Sequence, residues 1–292
     1  MQCLIEHIHS SNDMNEPSLW TFTVVAALVT TVGTLLGHYL KEVVLARALE
    51  NWKRERTLAD IHRKYRDPIV LSAIELASRL CEICTHYPTD YLKQKYLEMD
   101  VPAPSYHGAR NEYFCRYKFL STAYRLSAFL GWLELYRQEL VFADTEESQT
   151  SRQLEPLFEK IREDLADGQL NLADDWRVWS DALLYREEQR AIGEAMVGTT
   201  PAGRGVLGYG AFVTATESPS HPVHRWIPAA VTFFADPLPI KDFRHTRYER
   251  LLVHLVDLVT AMEPRRAPDW ICQAATLYRR RTEQLLNPHS ID

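Results

Sequence analysis

The sequence predicts a mostly α-helical membrane protein. One N-terminal transmembrane helix is followed by a cytoplasmic, helical-bundle-like domain with a Gly/Pro-rich insertion and at most short strands. Three observations predict this. Residues 19–40 run without Asp, Glu, Lys or Arg. Apolar residues recur three to four apart through 67–85 and 111–142, the spacing of a buried helix face. Gly and Pro collect in 198–240, which holds five Gly and six Pro.

The uncharged stretch comes first because it sets the context for the rest. At about 1.5 Å per residue it reaches roughly 33 Å, enough to cross the hydrocarbon core of a bilayer. Trp20 and Tyr39 sit near its ends, where amphipathic rings favour the headgroup layer. A cleaved signal peptide fits poorly, because no Lys or Arg precedes the run and the run is too long. Residues 1–18 hold Glu6, Asp13 and Glu16 and no basic residue, whereas 41–66 hold eight basic and four acidic residues. Positive flanks stay inside. The reading is therefore a short extracytoplasmic tail (1–18), a transmembrane helix (19–40), a basic juxtamembrane helix or stalk (41–66) and a cytoplasmic domain (67–292). The expected location is a plasma or inner membrane.

Gly33 and Gly37 form a G-x-x-x-G pair, which lets two membrane helices approach closely. That predicts a homo-oligomer through this face. Lys53, Arg54 and Arg56 follow the span and suit anionic lipid headgroups. The chain has 33 Lys+Arg against 39 Asp+Glu, and all the basic residues lie beyond residue 40. That balance argues against a general nucleic-acid binder. The expected partners are the bilayer, a second copy and a protein. Five scattered cysteines suit free thiols in a reducing compartment.

Along the cytoplasmic part, Asp67-Pro68 reads as a helix start, a capping acid with proline at the first position. A helical piece is expected near 91–97. Residues 111–142 form the centre of the domain, apolar on several sides and hence buried on several sides. A surface helix is expected over 151–165 with Pro156 near its start, then a helix over 176–197. The 198–240 stretch should be loop-rich, with 210–216 and 231–235 as strand candidates. Helices over 247–262 and 268–286 close the chain.

Five groups of residues carry candidate chemistry. Glu188, with Glu187, Arg190 and Glu194, is the candidate catalytic set. Leu184, Glu188, Ala191 and Ala195 share one helical face, which would place Glu188 among core residues, and a buried carboxylate must be paired or neutral. The alternative, which the sequence favours, is a structural ion-pair ladder with Glu188 held by Arg116 or Arg125. Gly203, Gly205 and Gly208 match G-x-G-x-x-G, a phosphate-cradle pattern. The required strand before and helix after are not expected here, so a flexible connection is preferred. Cys81 and Cys84 share a helix face but lack the second Cys pair of a zinc site. His221, His224 and His245 match no metal spacing. Arg279, Arg280 and Arg281, with Arg265 and Arg266, form a basic run that reads as a solvated face. No metal or cofactor is expected. The function read from this pattern is a membrane-anchored adaptor or effector. The alternative is a tethered enzyme using Glu188 under the 198–210 loop.

Overall fold

The structure, a computed structural model, describes residues 19–85, 89–98, 110–142, 149–166, 180–200, 203–236 and 243–286. The chain divides into two units, Met1–Arg56 and Thr57–Asp292. In the first, helix α1 spans Leu19–Tyr39 and a π-helical turn follows over Leu40–Val44. Every described side chain of α1 is exposed. Its threonines turn inward on their own backbone: Thr30 donates to Ala26 O, Thr31 to Ala27 O and Thr34 to Thr30 O, each at 2.8 Å. The helix therefore presents an apolar surface with these hydroxyls already satisfied.

Helix α2 covers Leu45–Thr85 and α4 covers Arg110–Phe142; a short α3, Lys95–Glu98, lies between them. Then come α5 (Gln149–Ala166), α6 (Arg186–Met196), a hairpin of β1 (Val197–Thr200) and β2 (Gly203–Val206), α7 (Tyr209–Glu217), α8 (Pro222–Phe234), α9 (Phe243–Met262) and α10 (Asp269–Leu286). The second unit is a helical assembly around one core. Helix α4 is central, packing on α6, α8 and the hairpin, while α9 packs on α5 and α10.

The core begins earlier than the sequence suggests. Leu58, Ile61 and Tyr65 are buried ahead of residue 67, so the packed unit starts within the expected stalk. Pro68 does not open a helix; it lies inside α2. Tyr65, Ile69 and Val70 are buried on either side of it, and that burial outweighs one lost backbone hydrogen bond. Asp67 is no cap. It pairs with Arg66 at 3.2 Å and with Arg266 at 3.3 Å. Pro156 likewise lies inside α5, well past its first turn.

The 198–240 stretch departs most from expectation. Both strand candidates are helical: 210–216 lies in α7, and 231–234 is the last turn of α8. Pro222 starts α8 instead of interrupting chain, behind His221, whose Nδ1 accepts from Val223 N at 3.1 Å. The strands are β1 and β2, antiparallel, with Val197 opposite Val206 and Thr200 opposite Gly203. Gly203 turns the chain at φ +109, a conformation that glycine adopts without strain.

Helix α4 is buried on several sides only from Phe119 onward. Phe119, Leu126, Phe129 and Leu135 are inaccessible, while Tyr113, Phe114 and Tyr117 remain exposed. Its buried Thr122 and Ser127 hydroxyls donate to Lys118 O and Ala123 O, so the core accepts them. Two glycines bring α4 and α6 together. A Cβ at Gly193 would stand 2.8 Å from Leu130 O, and one at Gly131 would stand 3.0 Å from Met196 Cβ.

Candidate functional site

The close α4–α6 approach opens a cleft of about 320 Å³ whose wall is completed by α5. One Glu-x-x-Arg pair from each helix lines it: Glu134 and Arg137 from α4, Glu159 and Arg162 from α5, Glu187 and Arg190 from α6. At i, i+3 on a helix the two side chains are neighbours, so each pair projects from one face. Arg186, Gln189 and Glu194 add to the α6 side, above an apolar floor that includes Leu130 and Leu133.

Glu134 is nearly inaccessible. Arg137 grips it at two points, 2.8 and 2.5 Å, and Gln138 donates to it at 2.7 Å. Burial alone would raise its pKa. The Arg137 and Gln138 hydrogen bonds, with the Arg137 and Arg190 charges, instead hold it below the usual carboxylate range. Glu159 follows the same logic. Burial pushes up, and hydrogen bonds from Arg186 at 2.7 Å and Arg162 at 2.6 Å bring the net shift down. Both carboxyls are therefore ionised at neutral pH. No Ser, Thr, Cys, His or Lys is among the residues lining the cleft. The described lining offers carboxylates and guanidiniums as its only charged groups, so the site can bind and orient charge.

Glu187, Arg190 and Glu194 of the candidate set line this cleft, and Glu188 does not. Glu188 lies in the first turn of α6, where its carboxylate accepts from Tyr185 N at 3.0 Å. It caps the helix, which has orphan backbone donors at that end. The buried position belongs to Gln189, because Leu184 precedes the helix and cannot set its phase. Neither expected arginine holds Glu188: Arg116 pairs with Glu217 at 3.5 Å and Arg125 donates to Glu75 O at 3.1 Å. Glu134, Arg137, Glu159 and Arg162 were not singled out in the sequence. The repeated Glu-x-x-Arg spacing on three helices was the available signal.

The glycine candidates fall in the hairpin. Gly203 and Gly205 belong to β2, and Gly208 is the extended residue before α7. Contrary to expectation a strand precedes the run and helix α7 follows it directly, but Gly203 and Gly205 are paired within an antiparallel ribbon and do not form the free turn of a phosphate cradle. No described hairpin residue lines the cleft, although Arg204 reaches Gln138 Oε1 at 2.6 Å and so braces the group that holds Glu134. Lys53, Arg54 and Arg56 belong to the first unit and are exposed; Arg54 pairs with Glu50 at 3.2 Å and Arg56 lies over the Trp52 ring.

Other polar groups hold helices together. Asp164, fully buried, pairs with Arg250 at 3.1 Å and with His254. Glu82 pairs with Arg79 at 3.1 Å and with Lys118. Glu249 pairs with Arg281 at 2.9 Å, yet burial keeps its pKa above the usual carboxylate range. The Cys84 thiol is pushed far up by burial, which makes it unreactive. His224 bonds to Thr216 O, and His245 is buried beside Tyr248, so these histidines take structural contacts. Among the described residues no three His, Cys, Asp or Glu side chains come together as metal ligands. Comparison with known protein families, characterised proteins and solved structures finds no match to this chain.

Proposed function

We propose that this chain is a single-pass membrane-anchored interaction protein, an adaptor or effector, whose helical unit offers the Glu/Arg cleft to a protein partner. The observation that carries the reading is the chemistry of the cleft: two carboxylates, Glu134 and Glu159, held ionised by arginines, in a wall where Glu and Arg alternate. Such a surface recognises a pattern of charge. The anchor follows from α1, whose exposed apolar side chains and self-satisfied threonines suit hydrocarbon better than water. Its N-terminus faces out and the helical unit faces the cytoplasm of a plasma or inner membrane, as the flanking charges direct. Lys53, Arg54 and Arg56 sit at the lipid headgroups, and Gly33 and Gly37 pair two copies.

The test is crosslinking of the full chain in its own membranes, followed by gentle capture and native mass spectrometry. A stoichiometric protein partner is expected, and the charge swap Arg190→Glu with Glu194→Arg should remove it while the chain stays in the membrane fraction. Capture of the chain alone, or of an unchanged complex after the swap, rejects the cleft as the contact.

A further inference from the structure

The first unit carries an apolar stripe beyond its uncharged run. Leu45, Leu49 and Trp52, at i, i+4 and i+7, are 61%, 52% and 53% exposed. Lys41 and Glu42 close the run before them, so these side chains stand past the hydrocarbon that would cover α1. The opposite side of the helix is charged, and there Arg54 pairs with Glu50 at 3.2 Å. An uncovered row of large apolar side chains outside hydrocarbon is unfavourable unless something packs on it.

The π-helical turn over Leu40–Val44 decides which way this stripe points. A π turn holds one more residue than an α turn, so it rotates everything after it by one residue, about 100°. Gly33, Gly37 and Leu40 share one face of the helix ahead of the turn, at i, i+4 and i+7. In an uninterrupted α-helix Val44, Arg47 and Asn51 would continue that face. With the extra residue Leu45, Ala48 and Trp52 continue it, and Leu49 lies at its edge. The turn therefore replaces an arginine and an asparagine by apolar side chains on the glycine face. That face is open: among the described residues nothing stands within 4 Å of where a Cβ at Gly33 or Gly37 would lie.

We propose that Leu45, Ala48, Leu49 and Trp52 pack on the same residues of a second copy of this chain, and that the π-helical turn sets their phase. The proposal rests on the membrane-anchored reading with its glycine pairing, and extends that pairing past the bilayer. A second copy fits the stripe because two-fold related faces are self-complementary. Anchoring in one bilayer also holds the copies parallel and in register. Leu45 and Trp52 are seven residues apart with Ala48 and Leu49 between them, the spacing of a coiled-coil seam. The contact requires a shallow crossing of the membrane helices, about 20°, because a steep crossing of about 40° would part them beyond Leu40.

The experiment places a photo-crosslinking benzoylphenylalanine at single positions of the full chain in phosphatidylcholine vesicles at low protein density. Crosslinked dimers are expected from Leu40, Leu45 and Trp52, and none from Arg47 or Asn51. Deleting Val43 removes the extra residue and keeps the phase, so the Trp52 dimer should survive. Deleting Val43 together with Val44 turns the stripe away, so the Leu45 and Trp52 dimers should be lost while the Leu40 dimer stays. Dimers from Leu40 without Trp52 overturn the proposal and leave the glycine pairing standing. Equal dimers from Trp52, Arg47 and Asn51 overturn it, as does a Trp52 probe that captures only lipid. Dimers from Leu45 and Trp52 without Leu40 keep the stalk contact and fail the glycine pairing. No dimer at any position overturns both.

Discussion

Helices α1 and α4 are both long and rich in large apolar residues, and they meet opposite fates. In α1, Phe22 is 67% exposed and Val29 65%. In α4, Phe119 and Phe129 are wholly inaccessible. The difference is supplied by neighbours. Helix α4 carries Gly131 where Met196 and Val206 press in, and α6 answers with Gly193 against Leu130. Its charged residues find partners, Lys118 in Glu82 of α2 and the buried Glu134 in Arg137 one turn on, so the helix can carry charge and still be packed. Among the described residues of its own unit none covers α1, and its apolar side chains stay exposed, as the proposed membrane span requires. Apolar pattern by itself states a demand for burial, and the surrounding chain decides whether protein or lipid meets it.

The largest test of that contrast is a matched pair of truncations. Phe129→Ala should destabilise the helical unit by about 3–5 kcal/mol through lost transfer energy and a cavity. Phe22→Ala should leave its denaturation midpoint unchanged. Chemical denaturation of the solubilised full chain reads both, and equal losses would break the comparison. Next in size is a charge placed in α1. Val29→Arg should cost about 3 kcal/mol of membrane insertion and move chain out of the membrane fraction, measured by flotation. The matched exposed site on α4, Tyr113→Arg, should not change the distribution.

Two buried carboxylates sharpen the picture within the helical unit, because their shifts run in opposite directions. Glu134 has a lowered pKa, so its contribution is present above about 4.5 and is lost as pH falls through its folded value. Glu249 has a raised pKa, from burial that Arg281 only partly offsets. Its contribution is greatest below about 4.5 and is lost as pH rises through its folded value. Glu134→Gln should therefore flatten the acid side of the stability profile, and Glu249→Gln the side leading from pH 4.5 towards neutral. Denaturation midpoints across pH check both, and matching profiles would show that Arg281 serves Glu249 as well as Arg137 serves Glu134. The smallest effect concerns Glu188. Glu188→Ala should cost about 1 kcal/mol as a lost cap, while Glu188→Gln, which still accepts the Tyr185 amide, should change the midpoint very little. A large loss with Gln would mean that the charge, and not the cap, is what α6 needs.

Several helices were legible because their apolar residues keep a 3.6-residue period with no competing signal. The expectation of 111–142 became Arg110–Phe142, and 268–286 became Asp269–Leu286. Proline misled in both directions. Pro68 and Pro156 looked like starts and sit inside helices, whereas Pro222 opens α8 in a stretch expected to be loop-rich. For Pro68 and Pro156 tertiary burial of neighbours such as Ile69 and Phe158 outweighed the local cost, whereas Pro222 stands at the first helical position, where proline costs nothing. The candidate site was half legible. Glu187, Arg190 and Glu194 follow from helical spacing, but the residues opposite them lie roughly 30 to 60 positions earlier in sequence, and spacing along one helix does not report which helix will face it.

What the sequence by itself determined is one-dimensional: an uncharged run long enough to span hydrocarbon, the approximate ends of the helices over 111–142, 247–262 and 268–286, and the shared stripe of Glu187, Arg190 and Glu194 on α6. These depend on local geometry, on rise per residue and side-chain period. Tertiary structure alone decided that three Glu-x-x-Arg pairs share one cleft, that Glu188 caps and Gln189 is buried, and that the Gly-rich stretch forms a ribbon followed by helices. Those outcomes depend on which surfaces meet, and burial energy gathered over many distant contacts exceeds the small local preferences that sequence reading can weigh.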